Sequence, residues 1–177
     1  MKPEATLARM AGAIVSNFTQ MNPPVIVAVN GVATGAGFSF ALCGDIVLAS
    51  EDASFCMAYT KIGLVPDAGT TFLLPQIVGL RKAKELAILN TTLSANEAES
   101  LGIITKVVPK DQLLDEAKSI ADSFTSRSTV AIGVTKRLML AGCNQTLDGQ
   151  AAEETRAIAL RARSTECVEM LDKFASR

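Results

Sequence analysis

The sequence of 177 residues predicts an α/β layer that carries an α-helical extension. Two observations predict it. Short, near-continuous apolar runs alternate with helix-period segments through the first half, and beyond Pro109 the pattern is helical to the end. A chain of this length builds one unit with a real core. Its expected division is an α/β part over 1–110 and a helical oligomerisation region over 111–177.

Each element has its own signal. Leu7, Met10, Ala11, Ile14, Val15 and Phe18 recur at helical spacing and predict an amphipathic helix over 5–19. Asn22, Pro23 and Pro24 end it, and "VIVAV" (25–29) reads as a buried strand. A bare loop follows, then a helix over about 36–43, then "DIVLAS", a run of the kind buried on both faces. "ASFCM" predicts a further short strand. "IGLVPDAGTTFLLPQIVG" mixes apolar residues with Pro66, Gly69 and Pro75, which predicts a structured loop leading into a broken helix. "LRKAKELAILN" is one helix. In "LSANEAESLG", Ser94 with Glu97 three residues later is a capping-box pattern, and Gly102 stops the helix. "IITKVV" predicts a strand, and helices are expected near 111–125, 128–141, 147–163 and 165–174.

Composition excludes several classes of function. Hydrophobic residues make up 49% and charged residues 20%, a globular balance rather than a disordered one. The net charge of −1 leaves no electrostatic footprint for nucleic acid. "VIVAV" and "FALC" are too short to span a bilayer, and "MKPEATLARMAG" lacks the apolar stretch of a secretory signal. No nucleic-acid or membrane partner is expected, and the expected location is the cytoplasm or an organelle matrix. Cys43, Cys56, Cys143 and Cys167 form no C-x-x-C pair, so small buried thiols are expected rather than a metal or redox motif. The absence of histidine rules out a Ser-His-Asp triad, a Cys-His pair and nearly every catalytic zinc site within this chain. Proton chemistry must therefore rest on Asp, Glu, Lys, Tyr or Cys, and no metal site is expected.

One stretch stands out. "NGVATGAGFSFALCGD" places a run of glycine and alanine between the first strand and the first core helix. Glycine serves where the chain takes φ > 0 or where something approaches the backbone closely. The stretch is either a backbone site for a negative charge at a helix start or a tight crossover with close helix–strand packing.

In order, "PPVIVAVNGVATGAGFSFALCGDIVLASEDASF", "KIGLVPDAGTTFLLPQIVGLRKAKEL" and "LSANEAESLGIITKVV" resemble the crotonase superfamily, the enoyl-CoA hydratases and isomerases. The resemblance runs from about Ala5 to the C-terminus. It implies a spiral of ββα turns with a helical trimerisation region, acyl-CoA thioester substrates, and no cofactor beyond the coenzyme A of the substrate. In that family a backbone N–H of the small-residue loop binds the thioester oxygen as it becomes an enolate. The matching position is Ala36, between Gly35 and Gly37, where the free N–H groups of a helix start favour the developing charge.

Family hydratases carry two glutamates whose matching positions here are Ser39 and Tyr59. Addition of water is served by paired carboxylates, so their absence points away from hydration. Gly35, Gly37, Ser39 and Tyr59 are expected to line the substrate site, with packing by satisfied hydroxyls as the other reading of Ser39 and Tyr59. Asp67 matches the position where several family isomerases place their one carboxylate, and "KIGLVPDAGTTFLLP" resembles the isomerases of phenylacetate degradation. Local sequence alone favours an Asx turn or helix cap at Asp67; the resemblance reverses that preference. Leu64, Val65 and Phe72 are expected to shield it partly from water. By the same resemblance Asp45 is a structural position, and Lys61, Arg81, Lys173 and Arg177 are solvated charges, with contact to the CoA phosphates as the other reading.

Family members carry a further N-terminal segment with the first strands, much of the adenine site and a second oxyanion donor. Met1 falls just after the place where that donor loop belongs, so this chain by itself is expected to bind CoA esters weakly and turn them over slowly. The expected activity is double-bond isomerisation of an enoyl-CoA, the expected assembly a homotrimer or dimer of trimers. Hydration, or a non-catalytic oligomerisation or binding module, are the alternatives.

Overall fold

The computed structural model describes residues 3–176. Strands β1 (Ile26–Val29), β3 (Ile46–Ser50) and β6 (Lys106–Val108) form one parallel sheet in the order β1-β3-β6. Strands β2 (Val32–Thr34), β4 (Ser54–Cys56) and β5 (Leu93–Ser94) form a second, with β2 and β4 parallel and β5 antiparallel to β4. The chain thus passes from one sheet to the other and back: residue 26 faces residue 46 in the first, residue 32 faces residue 54 in the second.

Helix α1 (Pro3–Gln20) carries the expected period, but its apolar face is split. Val15 is buried with Cys43 and Ala68, whereas Leu7, Met10, Ile14 and Phe18 stay exposed. Strand β1 is half-buried throughout because it lies at a sheet edge, while β3, paired on both sides, buries four of its five residues. The loop expected before Ala36 is in part strand β2, which its short length and small side chains concealed. In "IITKVV" the strand occupies only the second half; Ile103 and Ile104 are core residues of the turn before it.

Helix α2 (Ala36–Ala41) drives Phe38 into the core, where its ring meets Phe55 edge-on at 6.2 Å. The broken helix is α3 (Thr70–Val78) followed by α4 (Leu80–Leu89). The break is at Gly79 (φ +79°), not at Pro75, which lies inside α3. Helix α5 (Ala95–Ser100) opens with the capping box: Ser94 Oγ accepts from the Glu97 N–H and Glu97 Oε2 accepts from the Ser94 N–H. Gly102 (φ +73°) then turns the chain.

Helices α6 (Leu113–Ser123), α7 (Thr129–Gly142), α8 (Leu147–Ala162) and α9 (Thr165–Ala175) complete the order. Leu113 of α6 packs with Leu48 and Val108 beneath the first sheet. Helix α7 crosses the end of α1 so closely that a Cβ on Gly133 would lie 2.4 Å from the Asn22 Cα. There Arg137 Nη1 donates to Gln20 O at 2.7 Å and Lys136 Nζ to Phe18 O at 3.1 Å, cations on the carbonyl end of α1. Lys136 also pairs with Asp45, whose Oδ2 accepts the Val25 N–H at 2.7 Å. Asp45 thus ties α7 to the start of β1, the structural position expected for it. Lys61, Arg81 and Lys173 are exposed, and Arg177 lies outside the described residues. Cys43 and Cys56 are buried thiols, whereas Cys143, which caps the C-terminal end of α7, is exposed and Cys167 is half-buried, against expectation. Among the described residues no helix is long and apolar enough to cross a membrane.

Candidate active site

The glycine-rich loop becomes α2 through Gly35, whose φ of +56° and ψ of −119° suit glycine alone. Its N–H donates to Cys56 O at 3.1 Å, which pins the loop to β4. No side chain caps α2, and the Ala36 N–H, at the first helical position, points out of the helix's own hydrogen-bond ladder. Ala36 and Gly37 are exposed, and the space a Cβ on Gly37 would enter is open. Both readings of this stretch therefore have physical content: Gly35 is required by conformation, and Gly37 leaves room above a bare backbone.

One turn into α2, Ser39 is fully buried. Its Oγ lies 2.9 Å from the Tyr59 hydroxyl, and Tyr59 donates to Asp67 Oδ1 at 2.7 Å. Thr70 Oγ1, also fully buried, makes a short hydrogen bond to Ser39 Oγ and reaches Asp67 O at 2.8 Å. Residues from α2, from the 3-10 turn that follows Tyr59 and from the start of α3 thus meet in one hydrogen-bonded set. Burial pushes the Tyr59 phenol above its ordinary value; the Ser39 hydrogen bond offsets part of that, and the Asp67 carboxylate adds to it. The phenol is a proton donor here, not a base.

The backbone on either side of this set is held in an uncommon region. Ala58 (φ +54°) precedes Tyr59, and Ala68 (φ +49°) and Gly69 (φ +75°) follow Asp67. Left-handed alanines of this kind persist only where the surroundings over-determine them. The consecutive pair turns the chain back, so that the Thr70 N–H donates to Asp67 O and the Thr70 hydroxyl oxygen lies 2.8 Å from the same carbonyl. The Asx turn or helix cap that local sequence favours at Asp67 does not form: α3 is entered through Gly69 without a side-chain cap, the Asp67 backbone carbonyl closes the turn, and its side chain goes to Tyr59 instead.

Asp67 is half-buried, and Oδ2 accepts no hydrogen bond among the described residues. The expected apolar shield is not there. Leu64, Val65 and Phe72 are exposed, because the turn that aims Asp67 at Tyr59 directs its neighbours outward. Thr70 was not foreseen, although its spacing three residues after Asp67 is the signature of a turn closed by a hydroxyl. A hollow of about 150 Å³ lined by Met57, Thr70, Leu74 and Ala87, among others, adjoins the set. The arrangement presents one carboxylate with one oxygen tied down and the other free, linked through Tyr59 and Ser39 to the helix whose start at Ala36 is uncapped. It suits removal and return of a single proton better than activation of a water by two carboxylates.

Comparison with known proteins identifies the family. A family model described as enoyl-CoA hydratase/isomerase matches residues 2–176. The chain is 38% identical over 172 residues to 1,2-epoxyphenylacetyl-CoA isomerase of Escherichia coli (strain K12), covering 97% of this chain and 66% of that protein. It is 34% identical over 154 residues to a probable enoyl-CoA hydratase of Rhodobacter capsulatus, covering 87% of this chain and 60% of that protein. The crystal structure of an enoyl-CoA hydratase/isomerase from Cupriavidus metallidurans CH34 superposes with a TM-score of 0.91 at 34% identity, over 97% of this chain and 65% of that one. The chain spans about two thirds or less of the length of these relatives.

Proposed function

The chain belongs to the enoyl-CoA hydratase/isomerase family, and we propose that within it the protein acts as an isomerase that moves a double bond in an enoyl-CoA. Asp67 takes the proton from the α-carbon, and the electron pair left behind runs into the thioester as an enolate. The Ala36 N–H meets the enolate oxygen. Asp67 then returns its proton at the γ-carbon, and the double bond settles next to the carbonyl. The substrate's coenzyme A is the only cofactor this sequence of steps requires.

The observation that supports this reading most is that Ser39 and Tyr59, which the resemblance matches to the two hydratase glutamates, carry hydroxyls hydrogen-bonded toward the one carboxylate of the set, Asp67. The relative at 38% identity is named an isomerase, which points the same way; the relative named a probable hydratase makes hydration the outcome to exclude. The same reading includes self-association through the helices from residue 111 onward, as a trimer.

The deciding experiment offers both 3-enoyl-CoA and 2-enoyl-CoA to the wild type and to Asp67→Asn. Isomerisation of the 3-enoyl ester is expected, falling about a thousandfold in Asp67→Asn, the scale of a lost general base. The melting temperature should hardly move, because asparagine keeps an oxygen for Tyr59. Rapid hydration of the 2-enoyl ester, or an Asp67→Asn variant as active as wild type, overturns the proposal. A chain that binds the ester and transforms neither substrate is a binding module.

A further inference from the structure

We propose that Tyr59, backed by Ser39 and Thr70, is a positioning residue that holds Oδ1 of Asp67 and leaves Oδ2 as the one atom that takes up and returns the proton. This rests on the isomerase reading above and specifies how its base is held. Each hydroxyl in the set has one proton to give. An ionised carboxylate only accepts, so the Tyr59 proton, at 2.7 Å, belongs to Asp67 Oδ1. Ser39 must then donate to the Tyr59 oxygen, and Thr70 to Ser39. The donors line up in one direction, from Thr70 to Asp67.

That order survives the reaction. When the α-carbon C–H bond breaks and an O–H bond forms at Oδ2, Oδ1 becomes the carbonyl oxygen of the acid and goes on accepting from Tyr59. When the γ-carbon C–H bond forms, the proton leaves Oδ2 and the carboxylate is restored. No hydroxyl has to turn, and no proton has to pass along the chain. The far end is closed as well: Ser39 and Thr70 are fully buried, and the other groups within reach of their hydroxyls are the backbone oxygens Gly35 O at 3.2 Å and Asp67 O at 2.8 Å, which hold no proton to pass on. The set therefore offers the captured proton no route through its hydroxyls, and Oδ2 is the atom from which it is returned to the substrate.

Two measurements test this, one of them independent of turnover. Tyr59 is the one tyrosine of the chain, which has no tryptophan, so ultraviolet absorbance against pH follows its ionisation alone. Asp67 is the charged group acting on the phenol, and Asp67→Asn should lower the midpoint relative to wild type. An unchanged midpoint overturns the inference whatever the activity. The second measurement uses 3-enoyl-CoA deuterated at the α-carbon. Tyr59→Phe should lower kcat about tenfold, the scale of one hydrogen bond to a charged group, with KM changed less than about twofold. The share of deuterium delivered to the γ-carbon should fall with it, because water then reaches Oδ1. Ser39→Ala, which leaves the Tyr59–Asp67 contact in place, should act in the same direction and less. Folding of Tyr59→Phe is supported by Gly35 O, to which the Ser39 hydroxyl turns when the phenol is gone. Wild-type kcat and label transfer in both variants, or a raised KM at unchanged kcat, overturns the inference. A midpoint shift without isomerisation by the wild type overturns the functional reading, and the catalytic part of this one with it.

Discussion

On the proposed reading position 36 contributes a single N–H, and proline is the residue that removes it with the least disturbance. Proline is well suited to the first turn of a helix, and the residue before it is biased away from the helical region, which Gly35 already avoids. Ala36→Pro should therefore keep the melting temperature within a few degrees and lower kcat about a hundredfold or more, as loss of an oxyanion donor does. Thermal melts beside steady-state kinetics check both halves. Gly35→Ala separates conformation from space. The nearest atom to a Cβ there is 3.9 Å away, so nothing clashes, yet φ of +56° should cost about 1 to 2 kcal/mol in denaturant unfolding. Sequence and resemblance made Ala36 and Asp67 visible one at a time. Their assembly was not, because Ser39, Tyr59 and Thr70 meet through three different elements, and no local pattern encodes which hydroxyl faces which. The same limit explains the missing shield: apolar neighbours in sequence say nothing of direction once Ala68 and Gly69 turn the chain.

Elements with local signals were the most legible. The Ser94–Glu97 spacing is a complete description of its own hydrogen bonds, and α5 begins where that spacing places it. Ser94→Ala should cost about 1 kcal/mol of stability. The Glu97 carboxyl is held below its ordinary value by the Ser94 backbone N–H first and the Ser94 hydroxyl second. Its contribution is complete above the ordinary carboxylate range and is lost as pH falls through the lowered value, so Glu97→Gln should flatten the acid side of a stability-against-pH curve. Strands β2 and β5 were illegible for the opposite reason: two or three residues carry no period, and only pairing with β4 makes them strands. The crossing of α7 over α1 was equally hidden, since Gly133 inside a helix pattern looks like a weakness. In the fold it is the point of closest approach, and Gly133→Ala should destabilise by about 1 to 3 kcal/mol in urea unfolding because the Asn22 backbone must move.

At the scale of the whole molecule, the helices of the last third leave Leu147, Ile158, Leu160 and Phe174 more than two thirds exposed, at 84%, 70%, 74% and 79%. Apolar surface of that kind marks an interaction site, and multi-angle light scattering should show self-association at micromolar concentration; a well-folded monomer counts against the trimer. The two-sheet path of the chain carries a consequence of another kind. Each pass adds a strand beside the one laid down a pass earlier, so the described strands are stacked like courses of brick. Protection should then follow the courses, as it does in repeat proteins. Amide hydrogen exchange should be slowest in Ile46–Ser50 and Ser54–Cys56, which have neighbours on both sides among the described strands. The Gly35 N–H is bonded to Cys56 O, so the loop proposed to hold the oxyanion donor is moored to the course that opens last.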